Sequence, residues 1–409
     1  MDAINSGDTA WMLTSAALVM LMTPGLGLFY GGLVREKNVL STIMHSFFIL
    51  AVVSVLWVVI GYTLAFGPTM GGFIGGLNWF GLNGVGQEPN ADYAATIPHQ
   101  VFMVYQMMFA VITPALISGA FAERKRFKAF VIFSVLWSLL VYSPVAHWVW
   151  AVGGWIRVLG ALDFAGGTVV HITSGVSALV CALYLGRRLG YGQEPMQPHN
   201  VTMTVVGTAL LWFGWFGFNA GSALGANGLA GAAFVNTHIA AAMASLVWMT
   251  LTWIRHRQPS VIGAAAGAVI GLVGITPAAG FVTPSGALVI GALASIAGYF
   301  VVEMFMHGRI DDALDVFGVH GVGGIVGALA TGIFASKAVN PAGFDGLLYG
   351  NPAQLGIQAL AVGVVAVYAA AVTWILLKVI DVTIGVRVSE DEEQRGLDLS
   401  QHGESAYQS

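Results

Sequence analysis

The chain has 409 residues, 57% of them hydrophobic and only 9% charged, with a mean hydropathy of +0.79. Soluble domains of average composition carry about 25% charged residues, so this is a polytopic protein of the lipid bilayer, and no strongly basic face offers itself to nucleic acid. The net charge of −4 names no partner, and with one cysteine, Cys181, an intramolecular disulfide is excluded.

The amino terminus, Met1-Asp-Ala-Ile-Asn-Ser-Gly-Asp8, lacks a basic n-region. The apolar run that follows, 10–34, is longer than the ~7–15 residues of a signal-peptide core. It is therefore expected to be the first spanning helix and not a cleaved leader. Apolar windows of about 20 residues predict an all-α protein of eleven transmembrane helices. These lie at 10–34, 39–66, 98–122, 127–146, 163–186, 199–220, 228–254, 260–276, 281–307, 316–336 and 353–385, the eighth being the shortest. Between the second and third, 67–97 reads as a turn-rich loop. Gly263, Gly267 and Gly271 in helix 8 form a small-residue packing face without chemistry. After helix 11, Ser389-Glu-Asp-Glu392 has capping-box spacing for a short helix. The chain thus divides into a transmembrane domain, 1–386, and a polar tail, 387–409.

Fourteen of the sixteen Lys and Arg residues fall at the ends of odd-numbered helices. The positive-inside rule then puts the amino terminus outside and the carboxyl terminus in the cytoplasm, as an odd helix count requires. Two motifs recur. Asp163-Phe-Ala-Gly-Gly-Thr-Val-Val-His171 opens helix 5, and Asp315-Val-Phe-Gly-Val-His320 opens helix 10; aligning the histidines also aligns Gly175 with Gly324. Ile112-Thr-Pro-Ala115 in helix 3 returns as Ile275-Thr-Pro-Ala278 at the end of helix 8. Helices 1–5 and 6–10 are therefore expected to be inverted repeats, with helix 11 added. In that arrangement His171 enters from outside and His320 from the cytoplasm, and the two meet near the midplane.

Ionisable groups at that depth are costly and face a pathway rather than lipid. Imidazole suits such a place, because a neutral pair can share one proton between facing nitrogens and still offer acceptors. His45 and His238 lack a partner pattern and read as structural, while His99 and His147 read as solvent-exposed at the outer face. Asp163 reads as a helix cap that also supplies negative potential at a pore mouth, with Asp315 its expected cytoplasmic analogue and Asp311 and Asp312 standing close enough to compete for that place. On helix 6, Trp215, Phe218 and Ser222 share one face. That stripe is either a packing or lipid-facing surface, or an aromatic-lined path for a cation, which ring faces attract by about 0.5–2 kcal/mol.

Together, Asp163 to His171, Trp215-Phe-Gly-Phe-Asn-Ala-Gly-Ser222, Asp315-Val-Phe-Gly-Val-His-Gly321 and the tail pieces Gly396-Leu-Asp398 and His402-Gly-Glu404 resemble the signatures of the ammonium transporters (the Amt/Mep/Rh family), specifically the bacterial Amt branch. The resemblance implies a homotrimer in the cytoplasmic membrane of a prokaryote, each subunit with its own narrow pore, and no cofactor, metal or enzymatic activity. It implies that Trp150, Ser222 and Phe109 recruit ammonium, with Asp163 needed near the mouth. Phe109 and Phe218 become a stacked gate, His171 and His320 the twin pore histidines, and Trp215 the pore-lining tryptophan beside them. The substrate would be recruited as ammonium and conducted as ammonia, and a PII-type signal protein would dock at the cytoplasmic tail. An ammonium sensor signalling through that tail and a docked partner is the alternative. An aquaporin-like channel would leave the two histidines unexplained.

Overall fold

Inside a bilayer every backbone N–H and C=O must be satisfied within the protein, which leaves helices as the natural form for apolar segments of this length. The computed structural model describes residues 4–407 and is organised in this way. The reading of an uncleaved start at 1–3 and the end of the tail at 408–409 lie outside the described residues. The helices are α1 (Ser6–Leu33), α2 (Glu36–Phe66), α3 (His99–Phe121), α4 (Phe127–Val158, interrupted at 151–154), α5 (Gly167–Leu185) and α6 (Val201–Ala223). They continue as α7 (Gly228–His256), α8 (Val261–Ile275), α9 (Pro284–Met306), α10 (Phe317–Phe334) and α11 (Pro352–Ile384). Among the described residues ten are long and apolar enough to cross a membrane, and α8, with 15 residues, is shorter. Asn5, Asn200, Asn227, Ser260 and Thr283 cap α1, α6, α7, α8 and α9 by accepting from the first turn.

Helix ends and one loop depart from expectation: α1 begins at Ser6 and not at 10. α4 runs past 146 to Trp150 without a break. α5 starts at Gly167 and not at 163, because Gly166 at φ 122° cannot continue a helix. The segment 67–97 is more ordered than a loop: β1 (Thr69–Met70) pairs with β2 (Ile74–Gly75), and β3 (Pro89–Asn90) with β4 (Ala94–Pro98).

The two halves pack as counterparts. α1 lies against α6 and α5 against α10, while α1 touches α2 and α3 as α6 touches α7 and α8. π-helical turns recur at matched places, Ser138–Tyr142 in α4 with Val301–Met306 in α9, and Gly167–Ile172 in α5 with Phe317–Val322 in α10. Such turns cluster at functional sites, and this last pair carries His171 and His320. Glycines set the closeness of the crossings. A Cβ at Gly175 would lie 2.1 Å from the Gly321 backbone nitrogen, and one at Gly207 would lie 2.3 Å from that of Phe29. Gly267 and Gly271 of α8 press on α7 at Ala244 and Ala240, as their spacing suggested.

On the face that carries most of the basic residues, the loops are tied by buried ions. Glu123 meets Arg35 at 2.7 Å and Arg188 at 3.4 Å, and Arg188 grips Asp311 at 2.7 Å. Burial pushes the Glu123 and Asp311 carboxyls up, but the arginines outweigh it and hold both below the ordinary range. The tail adds α12 (Glu390–Arg395), whose Ser389–Glu392 capping box is formed. The tail docks on the loops. Asp398 accepts from Leu40 and Ser41 N–H at 3.0 and 2.8 Å, Lys37 donates to the Gln394 carbonyl at 2.7 Å, and Val388 N–H reaches the Arg124 carbonyl at 3.1 Å.

Candidate functional site

Three spaces lie in line through the bundle. The first, a cavity of about 140 Å³ on the face opposite the basic loops, is walled by Tyr93, Gln106, Phe109, Trp150, Arg157 and Ser222 among others. Trp150 is fixed at both ends of the residue. Its indole N–H donates to the Asp163 carbonyl at 3.0 Å, and its own carbonyl accepts from Arg157. Phe109 stands edge-on to Trp150 with ring centroids 5.8 Å apart. Directly against it lies Phe218, 4.2 Å between centroids. These two rings separate the first cavity from the second, since Phe109 lines one and Phe218 the other.

The second space is a slit of about 10 Å³ bordered by His171, Trp215, Phe218 and His320 and otherwise by aliphatic side chains. His171 stacks on Trp215 at 5.5 Å, and Trp215 N–H is held by the Thr276 hydroxyl at 2.9 Å. The two histidines face each other with Nδ1 to Nδ1 at 3.3 Å. Two facing ring nitrogens need one donor and one acceptor, so a neutral pair holds opposite tautomers with one shared proton. Nε2 of His171 is buried without any partner. His320 also borders the third space, about 200 Å³, which Tyr30, Trp248 and Asp315 line toward the basic face. What brings the imidazoles together is the glycine contact between α5 and α10: a Cβ at Gly324 would sit 3.0 Å from the His171 Cβ.

The model of the Ammonium Transporter Family matches residues 10–407 of this sequence. The chain belongs to the ammonium transporter family. It is 54% identical to the ammonium transporter of Bacillus subtilis across 98% of both chains. Its fold is similar to that of Candida albicans Mep2, with a TM-score of 0.90 at 39% identity, covering 98% of this chain and 90% of that one. It is also similar to a solved structure described as a Sensor Amt Protein, with a TM-score of 0.90 at 30% identity, covering 97% of this chain and 98% of that one.

Within this family member, Trp215 and Phe218 are 2% and 0% exposed, so the helix 6 stripe faces the path and not lipid. Asp163 stands apart from the cavity walls. Its carboxylate accepts from Gly166, Gly167, Thr168 and Val169 N–H and from the Thr168 hydroxyl, so both oxygens are engaged in the cap that sequence suggested. The analogue of Asp163 is not Asp315. Asp312 accepts from Phe317 N–H at 2.7 Å and caps α10. Asp312 precedes His320 by eight residues, the interval between Asp163 and His171, and that spacing was the overlooked signal. Asp315, at φ 56°, lines the third cavity.

His99 and His147 are buried, contrary to expectation. His99 Nε2 pairs with the Tyr62 hydroxyl at 2.6 Å, and His147 bridges the Ala65 carbonyl and the Thr69 hydroxyl. His45 is structural, packed on Phe130 at 4.2 Å, and His238 lies exposed beside Trp212. The repeated Ile-Thr-Pro-Ala motif has a shared use: Thr113 bonds back to the Phe109 carbonyl and Thr276 to that of Leu272. Thr276, Gln106 and Tyr105 were missed as neighbours of the path. For Tyr105 the available signal was its i, i+4 spacing from Phe109 on α3.

Proposed function

We propose that this protein takes up ammonium across the cytoplasmic membrane of a prokaryote, binding the cation in the outer cavity and conducting neutral ammonia along His171 and His320. The observation that carries the reading is the facing Nδ1 pair with a partnerless His171 Nε2 in a slit of about 10 Å³. An ion loses its hydration there at a cost of many kcal/mol, whereas ammonia needs only a few hydrogen bonds. In the outer cavity the faces of Trp150 and Phe109 attract the cation and Ser222 offers an oxygen. Deprotonation precedes the Phe109–Phe218 gate, and the proton either returns outside or is relayed by the histidines. Protonating both imidazoles would set two like charges in a low-dielectric tube, so the pair stays at most singly charged.

The experiment is ammonium and potassium current in matched proteoliposomes with inserted protein quantified. His171→Asp adds an anion to the slit and is expected to pass charge with reduced ammonium-over-potassium selectivity. His320→Ala breaks the hydrogen-bond chain and is expected to lose specific uptake. Wild-type rate and selectivity in both variants would reduce the histidines to pore lining and end this mechanism.

Sequence resemblance and charge placement support a homotrimer with the amino terminus outside and the tail, 387–409, as a cytoplasmic regulatory segment that receives a PII-type protein. The likeness to a Sensor Amt Protein favours a second reading, in which occupancy is signalled through that tail and a docked partner. Absence of any ammonium flux through a correctly inserted protein would select it.

A further inference from the structure

We infer that Tyr105 is a positioning residue of the outer ammonium site, its hydroxyl pinning the last turn of α6 to α3 and so fixing Ser222 against the Phe109–Phe218 ring pair. The inference rests on the reading of that cavity as the ammonium site.

Tyr105 is fully buried, so its hydroxyl has no water to turn to. The oxygen lies 2.9 Å from the Gly217 carbonyl, 2.8 Å from the Phe218 carbonyl and 3.2 Å from Ser222 Oγ. These groups belong to the end of α6, where the helix tightens into a 3₁₀ turn, Gly221–Ala223, and the regular ladder of backbone bonds runs out. Room for the hydroxyl exists only because residue 221 is glycine: a Cβ there would stand 2.7 Å from the Tyr105 oxygen. On the other side the Tyr105 ring meets Phe109 at 5.0 Å, edge to face. One side chain therefore touches both members of the gate and the polar wall of the cavity above it.

The protons can be followed. Tyr105 has one hydroxyl proton, and the Gly217 and Phe218 carbonyls are its acceptors. Ser222 has one, and donates it back to the Phe218 carbonyl at 2.9 Å. With both protons turned inward, Ser222 Oγ offers only lone pairs to the cavity. That oxygen suits a ligand rich in N–H donors. Without the tyrosine hydroxyl, the 3₁₀ turn loses its tether to α3, and the Gly217 and Phe218 carbonyls keep only the donors that α6 itself supplies.

Tyr105→Phe keeps the ring and removes only the hydroxyl. The test is the concentration dependence of ammonium uptake by the full-length protein in proteoliposomes, for Tyr105→Phe, Ser222→Ala, Trp150→Leu and the Tyr105→Phe/Ser222→Ala double variant. The expected result is an apparent KM raised about fivefold in Tyr105→Phe, the scale of one lost hydrogen bond, with the loss falling on KM rather than on maximal rate. The double variant is expected to be no worse than Ser222→Ala alone, because the two changes remove one shared arrangement. A wild-type KM in Tyr105→Phe, or independent additive effects in the double variant, overturns the inference while raised KM values in Ser222→Ala and Trp150→Leu leave the site itself standing. Wild-type KM in all four removes the outer site and the role of Tyr105 with it.

Discussion

Asp312 illustrates how a single residue was both legible and misread. Carboxylates beside helix starts are evident in the sequence, but three aspartates crowd the entry to α10, and the recurring acid-then-histidine motif was read from Asp315. The eight-residue interval shared with Asp163 and His171 decides for Asp312. The buried His99 and His147 were misread for another reason: their partners Tyr62 and Ala65 lie 37 and 82 residues away in sequence, and no local pattern encodes that. Asp312 also carries a pH dependence. Burial pushes its carboxyl up to about 6, against the Phe317 and Val316 N–H groups that favour the charge. A carboxyl raised on folding binds its proton more tightly in the folded state. Its contribution is thus fully present below about pH 4, falls as pH rises to 6, and is absent above that. The asparagine in Asp312→Asn still caps α10 but cannot ionise. Melting of the purified protein should therefore show Asp312→Asn rising relative to wild type between pH 4 and pH 7.5. The shift corresponds to a free energy on the order of 2–3 kcal/mol. A difference that does not change with pH would refute the assignment.

At the scale of elements, the repeat was readable because two motifs survive in both halves, and the apolar windows found every long helix. The start of α5 was not, since Asp163-Phe-Ala-Gly166 is apolar enough to pass for helix until Gly166 takes φ 122°. Nor were the hairpins of 67–97, whose paired strands are mostly two residues long and too short for any alternation. The π turns were equally silent, for they come from packing and not from composition. The spacing of the histidines depends on this level, because α5 and α10 approach where Gly175 meets the backbone of Gly321. That neighbour is main chain and cannot rotate aside. Gly175→Ala should therefore destabilise the protein by about 1–3 kcal/mol and spread the imidazoles. Its detergent melting temperature should fall while Gly356→Ala, which meets nothing, should not change it. Equal melting of the two variants would mean the helices part without strain.

Across the whole molecule, membrane class and family were plain from composition and motifs, while the seating of the tail was not. Its capping box could be read from four residues, but Asp398 binds Leu40 and Ser41 from more than 350 positions away. The seated segment shares the basic face with the Arg188–Asp311 pair and its neighbours, which makes it the proposed landing place for a PII-type protein. Deleting residues 396–409 should abolish co-purification with the host's PII protein, and persistent binding would show that the tail is not required. The slit beside His171 and His320 has a further effect, on turgor. A space of about 10 Å³ is at the lower limit for one water molecule, so no column of liquid can move through it. If ammonia takes the proposed path, a cell can leave such a route open through dilution and drought alike, gaining nitrogen without tying its volume to the traffic.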